Sequence, residues 1–162
     1  MLLARFWLSL FGVGYLKPGP GTWGSIAATL LWWIGLSSLG MFFQLLIFFV
    51  FASASTWICA NFLRDSKLGD ESWIVVDEFA AMLFILAFIP RHFFLVLLAL
   101  SMFRLFDIWK PWFVGLVDRK IHGGVGVMLD DFIAALFVLA IILPLVQLVP
   151  EDLIFSEYGL LQ

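Results

Sequence analysis

The sequence predicts an all-α protein: an integral membrane bundle of about five apolar helices, preceded by an amino-terminal interfacial segment. Three observations carry this. The 162-residue chain is 64% hydrophobic and only 13% charged, against about 45–50% apolar and about 25% charged for a soluble domain. Its apolar residues come in long runs broken by glycine, proline or charge, without strand-like alternation. Its mean hydropathy of +1.09 exceeds what so short a chain can hide from water, because a small domain keeps a large surface for its volume. The length fits one domain, residues 1–162.

The elements follow in chain order. MLLARFWLSLFGVGYLKPGPG carries one early charge, Arg5, and a short apolar stretch. It meets glycine and proline before any small-x-small cleavage site, so it reads as a segment along the membrane surface with Phe6 and Trp7 at headgroup depth. Residues 25–63 are almost uniformly apolar, and about 39 residues is too long for one span of about 20. Ser37, Ser38 and Gly40 supply the turn, giving helices at 25–38 and 41–63, the first short for a span. Arg64, Asp65, Lys67, Gly69 and Asp70 form a polar loop. A third run, Ile74 to Ile89, ends at Pro90, and Arg91-His92 is a tight break. A fourth, Phe93 to Trp109, ends at Pro111, since proline cannot continue the helical ladder. A charged, glycine-containing loop, 110–127, leads to a last helix at 127–149 with Pro144 near its far end.

With five spans, one side carries Arg5, Lys17, Arg64, Lys67, Arg104, Lys110, Arg119 and Lys120, eight of the nine Lys and Arg residues, and the other only Arg91. The positive-inside rule places the charged side in the cytoplasm. Nine of the twelve acids fall there too. The net charge of −3, with no basic stripe, excludes nucleic acid as a partner. The single cysteine, Cys59, lies in an apolar run and reads as a small hydrophobe.

The chemistry should lie on the cytoplasmic face. Asp77-Glu78 enter the third helix, Asp107 leaves the fourth and Asp130-Asp131 enter the fifth. An ionised carboxylate beside hydrocarbon is costly unless it faces a cavity, a partner charge or a cation. Five carboxylates from three helices at one membrane level suit Mg²⁺, which prefers carboxylate oxygens and shares its sphere with substrate phosphate. A competing reading has the acids complement helix dipoles. That works for Asp77, Glu78, Asp130 and Asp131 in first turns and fails for Asp107, which Arg104 and Lys110 flank at three residues on either side. Arg104, Lys110 and Lys17 are the candidate phosphate holders, arginine through its planar fork and lysine as a point charge. Arg104 stands out because it interrupts the run ALSMFRLFDIW. The loop GVGYLKPGPGTWGS, residues 12–25, places Gly21, Thr22, Gly24 and Ser25 where backbone N–H groups meet an anion, or where Thr22 or Ser25 caps a helix. His122 is either a phosphate or proton-transfer group or a structural hydrogen-bonding residue.

PGPGTWGS, IVVDEFAAM, FRLFDIWKPW and DRKIHGGVGVMLDD resemble, in order and spacing, motifs of the phosphatidylglycerophosphatase A family, over about Gly12 to Ala135. The resemblance implies Mg²⁺-dependent hydrolysis of the phosphate monoester of phosphatidylglycerophosphate to phosphatidylglycerol and inorganic phosphate. The implied setting is the bacterial inner membrane, multi-pass, with the site on the cytoplasmic side. The family's acidic positions fall on Asp77, Glu78, Asp107, Asp130 and Asp131, and Lys110, Asp118, Gly123 and Gly124 also match. Ala80-Ala81, Phe113 and Ala135 depart from it. The mechanism read from these residues is metal-assisted: cation and Arg104 or Lys110 draw charge off the phosphate, and water attacks in line. A covalent aspartyl-phosphate is the variant. The partner is the phospholipid substrate, with a homodimer through the aromatic helices an open arrangement. The rival outside enzymology is a small cation or proton carrier lined by acids, whose carboxylates belong nearer mid-membrane.

Overall fold

A helix that is apolar on every side is stable only when it is surrounded, and the run VDEFAAMLFIL meets that condition at the centre of this protein. The computed structural model describes residues 1–66, 71–109 and 124–148. Among them all regular structure is helical: α1 Leu2–Leu8, α2 Pro20–Ile34, α3 Met41–Ser66, α4 Val76–Leu86, α5 Phe93–Trp109 and α6 Gly124–Leu148, with 3-10 turns at Val13–Tyr15 and Leu36–Ser38. Helix α4 packs against α2, α3, α5 and α6, and all of its residues but Glu78 are buried.

This differs from the expected row of similar spans. Helix α4 is an 11-residue helix, about 16 Å long at 1.5 Å per residue, roughly half the thickness of a bilayer's hydrocarbon core. It is the core of the bundle and presents no face outward. Among the described residues two helices are long and apolar enough to cross a membrane, Met41–Arg64 of α3 and Gly124–Leu148. Only 17% of the α3 stretch is buried, and Phe42, Phe49, Val50 and Trp57 stand on its outer side.

Helix α2 begins earlier than 25, because Pro20 has its φ preset for a first helical position and follows Gly19 at φ 66°. Its buried residues Gly21, Gly24, Ser25, Ala28 and Trp32 recur at helical spacing, and four of the five are small, so α4 can lie close against them. The turn into α3 is tied by Trp32 Nε1 donating to Gln44 Oε1 at 2.7 Å and Gln44 Nε2 donating to the Leu39 carbonyl at 2.8 Å. Helix α6 starts at Gly124, earlier than the expected 127, where a Cβ would collide with the backbone of Ala60. Its entry against α3 therefore requires glycine.

The amino-terminal segment is a short helix held by the bundle. Trp7 Nε1 donates to Ser55 Oγ at 3.0 Å and Val75 N donates to the Leu8 carbonyl at 3.0 Å. Trp7 therefore points into the protein, whereas Phe6 stays exposed.

Candidate active site

Asp77 and Glu78 sit in the first turn of α4, where a negative charge complements the helix dipole. Glu78 N donates to Asp77 Oδ1 at 3.1 Å. Asp130 and Asp131 occupy a different setting from the one expected. With α6 starting at Gly124, they lie beyond its first turn, which holds no acid. Capping and the dipole therefore give no account of them, although both are 5% exposed.

The fold brings three of these acids to one point. Asp77, Glu78 and Asp131 each offer a carboxylate oxygen, and these oxygens lie within 4.8 Å of one another. Asp107 faces both Glu78 and Asp131, and its Oδ2 lies 2.7 Å from Arg104 Nη1. The same Arg104 nitrogen is 3.8 Å from Glu78 Oε1. Asp130 is buried but stands outside the converging set, as expected of its position about 100° around the helix from Asp131.

Glu78, Asp107 and Asp131 thus stand beside the Arg104 guanidinium, with Asp77 against Glu78 and Asp131. Fully ionised, these four would set four negative charges against one positive among the described residues in a setting poor in water, a surplus that a further positive charge would offset. Two atoms of the cluster could receive it. Glu78 Oε2 and Asp131 Oδ2 are buried and accept no hydrogen bond among the described residues. A hard divalent cation fits this donor set of carboxylate oxygens. Arg104 also keeps donors in reserve: its Nε makes no hydrogen bond among the described residues.

Gly21 completes the pocket wall. A Cβ there would overlap Glu78 Oε1 and lie 3.0 Å from Arg104 Nη1, so a side chain at this position would displace the Glu78 carboxylate. The sequence singled out Gly21 for its backbone N–H, while the structure shows its missing side chain makes room for Glu78. The spacing Gly21, Gly24, Ser25, Ala28 was the available signal.

The remaining candidates divide clearly. Ser25 is fully buried and its hydroxyl donates to the Gly21 carbonyl at 3.0 Å, so that donor is engaged within α2. Thr22 is half-buried in the first turn of α2, and Lys17 is exposed in the loop before it. Lys110, Asp118, His122 and Gly123 lie outside the described residues.

The phosphatidylglycerophosphatase A family profile matches residues 6–146. The chain is 37% identical over 133 residues to the phosphatidylglycerophosphatase A of Haemophilus influenzae, covering 82% of each. It is 34% identical over 125 residues to that of Escherichia coli, covering 76% of this chain and 72% of the relative. A Bacteroides thetaiotaomicron protein, provisionally named a phosphatidylinositol-3-phosphatase, is 36% identical over 135 residues, 78% of this chain and 83% of its own. No solved structure matches the chain. The match spans every helix that builds the carboxylate site, and on that extent the chain belongs to the phosphatidylglycerophosphatase A family.

Proposed function

We propose that the protein hydrolyses the terminal phosphate monoester of phosphatidylglycerophosphate, releasing phosphatidylglycerol and inorganic phosphate, and that it requires Mg²⁺. It works in the bacterial inner membrane with its site at the cytoplasmic helix ends. The observation that carries this reading is the convergence of Asp77, Glu78 and Asp131 beside Arg104, inside an apolar bundle. The apolar outer side of α3 supports membrane residence, since an uncovered hydrophobic surface of that extent has no stable place in water. The names of the relatives support a phosphatase acting on a phospholipid headgroup.

Asp77, Glu78 and Asp131 would hold the cation. When bound, it supplies charge to a phosphoryl oxygen and favours ionisation of water at neutral pH. The chain's own contribution is orientation. Asp107 fixes the guanidinium of Arg104 from one side, leaving Nε to donate to a phosphate oxygen. Hydrolysis breaks the bond between phosphorus and the glycerol oxygen and forms one to water oxygen, and a water proton ends on the departing alkoxide. Charge spreads over the equatorial phosphoryl oxygens as this occurs, so a planar cationic fork held nearby stabilises the transition state.

Phosphate release by detergent-purified protein tests the reading, with phosphatidylglycerophosphate and phosphatidylinositol 3-phosphate offered in parallel. Release from the first that needs Mg²⁺, stops with EDTA and is lost in Asp131→Asn is the expected result. A monodisperse wild-type protein that releases nothing from it would sink the proposal, and preference for the second would reassign the headgroup.

A further inference from the structure

The carboxylate site opens on a groove that the phosphatase chemistry leaves unused. Between α3 and α6, floored by α4, lies an open cavity of about 240 Å³ with an almost wholly apolar lining. Ala52 and Thr56 form one wall, Val125 and Met128 the other, and Ala81 the floor, with Asp77 at one end.

Ring contacts give its direction. Phe51 meets Phe79 at 5.0 Å and Phe48 meets Phe84 at 4.9 Å, so α3 runs antiparallel to α4 and Thr56 sits at the level of Asp77. Gly124 abuts Ala60 while Phe132 stacks on Phe48 at 6.0 Å, so α6 is antiparallel to α3 in matching register. The trio Phe48, Phe84 and Phe132 closes the far end. From Thr56 to Phe48 is about 12 Å along the helix at 1.5 Å per residue. The groove therefore starts at the carboxylates and runs inward, between the two helices able to cross a membrane.

We infer that this groove holds an acyl chain of the lipid whose phosphate is presented to Asp77, Glu78 and Asp131, so that α3 and α6 form its lateral entrance. The inference rests on the proposed function. Continuity decides the occupant: Asp77 belongs to both the cation-binding set and the groove. A ligand filling both must be anionic at one end and apolar at the other. The hydroxyls of Ser53 and Thr56 line the stretch nearer Asp77, and only apolar side chains lie beyond. This order matches the passage from ester linkage to hydrocarbon. The site thereby selects a phosphate monoester carried on a membrane lipid over a soluble one.

The test compares phosphatidylglycerophosphates with dioleoyl and dihexanoyl chains. Ser53→Phe fills the groove from an exposed position, and Ala52→Trp from within. With dioleoyl substrate kcat/KM should fall about tenfold, the scale of losing contact with two methylenes, while dihexanoyl turnover, with fewer methylenes in the groove, falls less. Ile34→Phe, on the exposed end of α2, should change neither. Equal losses on both substrates, or none on either, would overturn the inference. Should Ala52→Trp fail to fold, Ser53→Phe still decides. A direct readout accompanies the kinetics: a phospholipid with a diazirine in its acyl chain should label residues 48–56 and 125–132. Labelling elsewhere alone overturns the assignment, as does a dimer of the wild type that Ser53→Phe dissociates, which would give the groove to a second copy. Labelling needs no turnover, so groove-labelled protein that releases no phosphate counts against the hydrolase and for the groove.

Discussion

Arg104 and Gly21 show how much of the site depends on single atoms. Asp107 and Glu78 share one Arg104 nitrogen, at 2.7 and 3.8 Å, and Nε makes no hydrogen bond among the described residues. Arg104→Lys keeps the charge and loses the fork, so kcat/KM for phosphatidylglycerophosphate should drop about a hundredfold, the scale of one lost transition-state donor. Wild-type rates in that variant would show that a point charge suffices. Gly21→Ala separates stability from function. Alanine should raise helix stability by about 1 kcal/mol, yet its Cβ displaces the Glu78 carboxylate. The expected variant melts within a few degrees of wild type and is at least about tenfold slower, a shift of the site by an ångström being enough for that. Undiminished activity would remove Gly21 from the site wall. The acids Asp77, Glu78 and Asp131 stood out in the sequence because each interrupts an apolar run. That Asp107 pairs with Arg104 while Asp130 stands outside the set of Asp77, Glu78 and Asp131 depends on rotation about α5 and α6.

At the level of elements, the helix order followed from the apolar runs, and proline and glycine marked most ends. Pro20 shows the limit: glycine-rich PGPGTWGS reads as loop, whereas the structure makes its last six residues, from Pro20, the opening of α2, because small residues there let α2 sit against α4. The third run misled differently. Its 16 residues suggested a span, but five belong to the chain entering and leaving an 11-residue core helix. The contact of α6 with α3 hangs on Gly124, where any side chain meets the Ala60 backbone. Gly124→Val should therefore part these helices. We expect a loss of about 2–4 kcal/mol, the range for overpacking plus lost burial, read as a lower melting temperature in detergent. A melt coincident with wild type would mean that α6 can enter elsewhere.

For the whole molecule, the bundle acts as a scaffold that crowds acids together around Arg104, which pairs with Asp107 and Glu78. A divalent cation bound only by the folded state must then stabilise it in proportion to RT ln(1 + [L]/Kd), about 2.7 kcal/mol at a hundred times Kd. Titrating Mg²⁺ into detergent-purified protein should raise the melting temperature, and Asp77→Asn or Asp131→Asn should erase most of that rise. An equal rise in wild type and both variants would place the cation elsewhere. This readout is independent of turnover, so it tests the donor set even where the substrate assignment is wrong.

Composition and the spacing of charge along the chain were enough to read an apolar helical protein and to single out its candidate acids, because burying an ion is costly wherever it occurs and such exceptions are visible in one dimension. Motif resemblance gave its family. Three things came only with packing. They are the central position of the short helix α4, the closing of Gly21 onto Glu78 and Arg104, and the groove between α3 and α6 that ends on Asp77. Each depends on which faces of separate helices meet. A sequence uniformly apolar around the helix, as in α4, carries no periodic signal to say which face that is.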